Sequence, residues 1–199
     1  MEGGKIRGYK LEIVFDDEEL DGQRFDIEKM GRTVIIPENT TMEELHQIIQ
    51  RLFGFKSIHY YEFSYDDESQ EDLRGFGYER QKRLCSSHQD LGKVYVDDYF
   101  EKKISFDYEY DYGCEWRFSV RFIRTVKYDK FYPTILDFDG QYNIVGSCGG
   151  PWGLEYYLKI INEPPETLSK NDRQIINRFE KFDMEKTQEE LIECFDISD

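Results

Sequence analysis

Residues 32–65, RTVIIPENTTMEELHQIIQRLFGFKSIHYYEFSY, decide the fold, because start, stripe and stop signals agree within them. The β-branched run at 32–36 reads as a strand, and Pro37 stops it by withholding an N–H from any ladder. Thr41 with Glu44 three residues on forms a capping box, and Thr40 with Glu43 repeats the pattern one residue earlier. Met42, Leu45, Ile49 and Leu52 recur at helical spacing, with Ile48 and Phe53 widening the apolar stripe. Gly54 supplies the left-handed residue that ends such a helix. His59, Tyr61, Phe63 and Tyr65 then alternate with Tyr60, Glu62 and Ser64, the period of a strand.

Upstream, Tyr9, Leu11, Ile13 and Phe15 alternate with polar neighbours and predict a first strand with one core face. Residues 16–23 (DDEELDGQ) form a turn cluster, and 24–30 are expected to be a short strand. Downstream, 66–93 lack periodicity and predict a long polar surface loop carrying a solvated His88. Residues 94–100 read as a short strand or one turn of helix.

The next segment predicts a hairpin whose register follows from parity. Ile104, Phe106, Tyr108 and Tyr110 share one face, and Trp116, Phe118, Val120 and Phe122 repeat it past the turn. Partners on one face need numbers of equal parity, since a one-residue slip turns every side chain over. That places Tyr110 opposite Trp116, Tyr108 opposite Phe118 and Glu109 opposite Arg117, with an odd loop of three or five residues around Gly113. Acidic and basic side chains then meet across strands at roughly 0.2–1 kcal/mol per pair, which accounts for the acidic row without a catalytic site. Residues 137–142 (DFDGQY) read as a turn. The stretch 146–162, GSCGGPWGLEYYLKIIN, is a glycine turn followed by a short amphipathic helix on Leu154, Tyr157, Leu158 and Ile161. Ser169 caps a further helix carrying Ile175, Ile176, Phe179 and Phe182, and Thr187 with Glu190 predicts another before Leu191, Ile192 and Phe195.

The length of 199 residues suits a sizeable core, expected as an α+β domain over 1–165 with a helical extension over 166–199 packed on it. The sheet is expected to be antiparallel, with one main helix on it and further helices toward the C-terminus. Aromatic residues make up 16% of the chain, so large rings compensate for an apolar fraction of 39%. No apolar run approaches about 18 residues and no secretory leader is visible, so a cytoplasmic protein without a membrane span is expected. Four cysteines, Cys85, Cys114, Cys148 and Cys194, lie far apart without a CxxC pair, which argues for free thiols and against structural zinc. The formal charge of −16 opposes binding nucleic-acid phosphates through a basic face and suits a basic protein or a small ligand.

Three blocks together resemble the plasmid Ri open-reading-frame-three-like family, also met as transposon passenger proteins. The first rests on Thr41, Leu45, His46, Ile49, Gln50, Phe53, Gly54, Phe55, His59 and Phe63, with Phe55 where the family usually has Trp. In the second, Tyr108, Tyr110, Asp111, Tyr112, Gly113 and Trp116 match, while Cys114 replaces an acid and Phe118 a histidine. In the third, Cys148, Gly149, Gly150 and Gly153 match, while Gly146 and Ser147 stand in place of an acidic pair. The resemblance implies a compact α+β fold and carries no established activity.

The residues that invite a chemical reading are His59, Asp111, Cys114 and Cys148. A thiol at Cys148, on a glycine turn before a helix, would gain nucleophilicity from the helix dipole, with His59 as base. A hard cation would want carboxylates, and this chain has none at 114, 146 and 147. Buried Cys is ordinarily a packing residue, and His46 beside Leu45 reads as a packed or rim histidine. We therefore expect a non-enzymatic binding module with no metal and no cofactor. Its candidate pocket comprises His59, Asp111, Trp116, Cys148, Gly149 and Gly150, with Tyr60, Tyr110, Tyr112 and Trp152 adding aromatic surface. A degenerate or active hydrolase or nuclease, metal- or Cys-dependent, is the alternative.

Overall fold

The computed structural model describes residues 6–16, 24–66, 81–87 and 89–195. Alternation governs its sheet. Strand β1 (Ile6–Phe15) buries Tyr9, Leu11, Ile13 and Phe15 on one face, while Glu12 turns the other way to Arg121 and Lys29. The further strands are β2 (Gly31–Pro37), β3 (Tyr61–Asp66), β4 (Gln81–Cys85), β5 (Phe106–Tyr110), β6 (Trp116–Tyr128) and β7 (Thr134–Asp139). All pairings are antiparallel, in the order β4-β3-β5-β6-β1-β2-β7. Two bulges, one between β1 and β6 and one between β2 and β7, leave Ile123 and Leu136 as extra residues, and both are exposed.

Helix α1 (Met42–Phe53) lies on the apolar face of this sheet, and Met42, Leu45, Ile48, Ile49, Leu52 and Phe53 are all fully buried. Its ends are made as the sequence dictates. Thr41 and Glu44 form a reciprocal capping box, and Gly54 takes a left-handed φ of 83°. A side chain at Gly54 would also meet Asn143, since a Cβ built there falls 2.8 Å from that residue's Cβ. The antiparallel sheet, this main helix and the later helices α3 (Gly150–Ile160), α4 (Lys170–Ile176) and α5 (Met184–Phe195) make the α+β class. A single turn, α2 (Asp97–Phe100), precedes β5. Phe182 and Leu191, from the C-terminal segment, join the same buried cluster as the sheet and α1.

The hairpin follows parity: Tyr110 pairs with Trp116, Tyr108 with Phe118 and Glu109 with Arg117, around a five-residue loop. Trp116 is fully buried, and Arg117 lies outside, 3.7 Å from Glu109.

Six expectations give way. Residues 24–30 are not a strand, because β1 and β2, which they connect, are each already paired on both sides. The region expected as a loop over 66–93 contains β4, a charged edge strand whose buried apolar residue is Leu84. His88 lies outside the described residues, as does most of the 16–23 turn. The strand after α1 begins at Tyr61, because Ser57 takes a left-handed φ of 54° and breaks the extended run. Strand β7 continues to Asp139, so only Gly140, at φ 87°, makes the turn expected over 137–142. Helix α5 starts one turn early, where Asp183 accepts from the Lys186 N–H at 3.0 Å; Thr187 is an interior, buried residue. Likewise α4 ends at Ile176, so Phe179 and Phe182 sit on the connection.

Candidate functional site

Two polar residues on the buried side of the sheet explain how the site is framed. Arg32 shares β2's inner face with Val34 and Ile36, and it is 1% exposed. It donates to the carbonyls of Leu52 (3.0 Å), Gly31 (2.7 Å) and Asp139 (2.6 Å), and its guanidinium lies 3.7 Å from the centroid of Phe182. Burial lowers its pKa to about 10, with Asp139 acting in the opposite direction. Arg32 thus ties the end of α1, β7 and the approach to α5 at one point.

His46 is 2% exposed and stacks on Tyr61, with centroids 3.6 Å apart and planes 4° apart. Its ring nitrogens lie 2.7 Å from the Tyr108 hydroxyl and 2.5 Å from Ser57 Oγ. Gln50 donates to the Tyr108 oxygen and Gln47 to Ser57 Oγ. The fully buried Tyr108 hydroxyl can satisfy its proton on Nδ1, so Nε2–H donates to Ser57 Oγ. In that tautomer Ser57 accepts from His46, and the pair is a structural network and not a nucleophile with its base. Burial, with a smaller contribution from Arg51, pushes the His46 pKa down to about 3.

The hairpin loop presents Asp111 at a left-handed φ of 57°, a conformation that Asp tolerates. Its Oδ1 accepts from the Gly113 N–H at 3.2 Å, and Oδ2 lies 3.6 Å from His59 Nε2. Both residues line a cleft of about 910 Å3. One wall is the end of α1, residues 54–59 and the hairpin, where Phe55 meets Tyr110 at 5.1 Å and Trp116 at 5.4 Å between centroids. The opposite wall is 143–147 and 177–190, tied to each other by Asn143 N–H to Glu180 C=O (2.9 Å) and Phe182 N–H to Gln141 C=O (2.8 Å).

Charge in the cleft departs from that of the chain. Arg51, Lys56, Arg178, Lys181 and Lys186 line it against Asp111, Glu180, Asp183 and Glu190. Lys186 pairs with Glu180 at 3.6 Å, whereas the other four cations make no ion pair among the described residues. Two buried polar atoms of lining residues, Trp116 Nε1 and Asn143 Oδ1, have no hydrogen-bond partner among the described residues.

The cleft thus brings together His59, Asp111 and Trp116. Cys148, Gly149 and Gly150 lie off its lining, in a turn that closes against the hairpin loop instead. Gly149 and Gly150 take φ of 99° and 74°, and a Cβ on Gly150 would come 3.0 Å from the Cys114 carbonyl oxygen. At Gly153 a Cβ would fall 1.8 Å from the carbonyl oxygen of Cys148, so no side chain fits there. Cys148 is 7% exposed, its thiol donates to the Gly150 carbonyl at 3.6 Å, and burial pushes its pKa up to about 12. Of the expected surface aromatics, Tyr60, Tyr112 and Trp152 are exposed. Tyr110 and Trp116 are buried, because the hairpin's inner face belongs to the core. Among the described residues no three His, Cys, Asp or Glu side chains come together as metal ligands, and no helix is long and apolar enough to cross a membrane.

Sequence reasoning placed Gly146 and Ser147 in a family block but missed that 143–147 and 177–190 form one wall. The charges there have no period, and the partners that make them a wall are distant in sequence.

Comparison with known proteins agrees with this architecture. The chain is similar to a crystal structure of MM3350, a protein of unknown function from Methanosarcina mazei Go1, with a TM-score of 0.68 at 19% identity over 91% of this chain and 97% of that one. It is also 28% identical over 150 residues to the uncharacterized protein y4hQ of Sinorhizobium fredii (strain NBRC 101917 / NGR234). That match covers 67% of this chain and 66% of the relative, so the chain spans slightly less than two thirds of the relative's length. Residues 19–190 match the family described as plasmid pRiA4b ORF-3-like protein, and the match includes both the glycine turn and the cleft walls: the chain belongs to that family.

Proposed function

We propose that the protein is a binding module whose ligand occupies the cleft between the hairpin end of the sheet and residues 177–190. One observation carries this reading: the cleft, at about 910 Å3, has the size of a small-molecule site and combines apolar surface at Phe55 and Ile58 with lining polar groups that lack partners among the described residues. A small ligand suits it better than a basic protein, because its lining carries five Lys or Arg side chains against four carboxylates. The non-enzymatic reading draws support from the two groups most suited to chemistry. Cys148 has its thiol proton held by burial, and His46 is a stacked, neutral network member. His59 and Asp111 then serve as a polar contact at the rim.

The test is a small-molecule screen read by amide chemical shifts on labelled protein. Binders should move the amides of Gly54, His59, Asp111, Asn143, Ser147 and Lys181 and leave the screen unchanged in composition. Binders that cluster elsewhere, or compounds converted to products, would overturn the proposal.

A further inference from the structure

Resting on the binding-module reading, we infer that the cleft takes a small planar-ring anion, a carboxylate or phosphate borne on an aromatic or heteroaromatic ring. The whole chain carries −16, so a random surface concavity should be acidic and should repel anions. This one is not acidic. Arg51, Lys56, Arg178 and Lys181 face it without carboxylate partners among the described residues. Its acids are largely engaged: Asp111 by His59 and the Gly113 N–H, Glu180 by Lys186, and Asp183 by the Lys186 N–H. Arg178 donates one N–H to Ser147 Oγ at 3.0 Å, which fixes the guanidinium and leaves the rest of its fork to receive an anion.

The hairpin-side wall fixes the other half of the ligand. Phe55, partly buried, and Ile58, 74% exposed at the rim, supply its apolar surface, with the buried rings of Tyr110 and Trp116 packed against Phe55. Within that wall the fully buried Trp116 has an indole N–H without an acceptor among the described residues, and across the cleft Asn143 has a buried Oδ1 without a donor among them. Buried polar groups are ordinarily paired, so one free donor and one free acceptor on residues lining a single cleft mark where a ligand's own acceptor and donor belong. Arg178 and Lys181 on one wall, Arg51 and Lys56 on the other, and the apolar surface of Phe55 and Ile58 beside an unpaired indole donor describe a flat molecule with an anionic substituent.

The experiment uses the full chain with Trp152→Phe, which leaves Trp116 as its one tryptophan and one indole N–H resonance. Two matched pairs serve as probes: adenosine monophosphate with adenosine, and 4-hydroxybenzoate with 4-hydroxybenzamide. Calorimetric titration should show at least one anion binding about tenfold or more tighter than its uncharged counterpart, the preferred pair distinguishing phosphate from carboxylate. The Trp116 indole resonance should move with it, and Arg178→Glu or Lys181→Glu should weaken the anion by about tenfold with little effect on the neutral compound. Equal binding of charged and uncharged partners, insensitivity to both charge reversals, or no binding by either anion would overturn the inference. Neutral compounds that bind and move Trp116 would leave the binding-module reading standing. If none of the four probes moves a cleft resonance and the wider screen does not either, both readings fall.

Discussion

The two walls of the cleft are built on different principles. In the hairpin wall every second residue is buried: Phe106, Tyr108 and Tyr110 face Val120, Phe118 and Trp116 across a ladder, with ring contacts running on into α1 through Phe53. In the opposite wall, between 177 and 190, the buried residues are Phe182 and Thr187. One wall is held by area, the other by a few anchors. These are Phe182 beneath Arg32, the backbone bonds of 141–143 to 180–182, and Gln188 bonded to Pro133 C=O and Ile135 N–H. The lesson is a division of labour. The sheet wall fixes shape and supplies rings, while the C-terminal wall is free to carry charge because little of its surface is needed for folding.

That contrast predicts a graded set of effects. The largest belongs to the body: Phe53→Ala removes a fully buried ring that contacts Phe118 at 4.6 Å, and should cost about 3–5 kcal/mol in urea unfolding. A loss no larger than that of a C-terminal substitution would erase the distinction between the walls.

Next is the pH dependence set by His46. Its folded pKa is lowered to about 3 from an ordinary 6.5, so as pH falls the unfolded chain takes up the proton first. The stability this group contributes is complete above about pH 6.5 and is lost as pH falls toward about 3, at up to about 1.4 kcal/mol per pH unit. Unfolding measured between about pH 6.5 and 4.5 should therefore show a loss of about 2–3 kcal/mol that is reduced in His46→Gln. Equal slopes in the two proteins would contradict a buried neutral histidine.

Smaller still is the anchor of the charged wall. Phe182→Leu keeps an apolar side chain but removes the ring under Arg32, and should cost about 1–2 kcal/mol while weakening ligand binding in the cleft. A full stability loss without any effect on binding would mean that this wall is not positioned by Phe182. Smallest is Thr41→Ala, which opens the capping box of α1 and should cost about 1 kcal/mol with binding unchanged.

The sequence carried the body of the fold wherever one local period served one buried face. Parity alone set Tyr110 against Trp116, and the spacing of Thr41, Met42, Leu52 and Gly54 set a helix with both its ends. It lost strands where the period was thin: β4 shows a single buried apolar side chain, Leu84, and β7 is broken by its bulge at Leu136. The strand boundary at His59 failed because Ser57 adopts a left-handed φ that no composition rule demands of Ser. Of the candidate site, His59, Asp111 and Trp116 were legible because family-like blocks carried them. Arg178, Lys181 and Lys186 carry no local signal, since only the tertiary pairing of 141–143 with 180–182 turns them toward the cleft. Arg32 had a signal that could have been used: it shares the even parity of Val34 and Ile36, which places a cation on a core face.

A binding module needs no activated thiol, and Cys148, on the glycine turn beside the cleft, tests that most directly. Iodoacetamide labelling followed by peptide mass across about pH 5 to 9 compares Cys148 with the exposed Cys194 in the same chain. Cys148 should label far more slowly than Cys194 throughout, reacting only as the domain opens. Labelling of Cys148 that stays fast below about pH 7, and slows when His59 is replaced, would contradict it and identify a Cys–His enzyme.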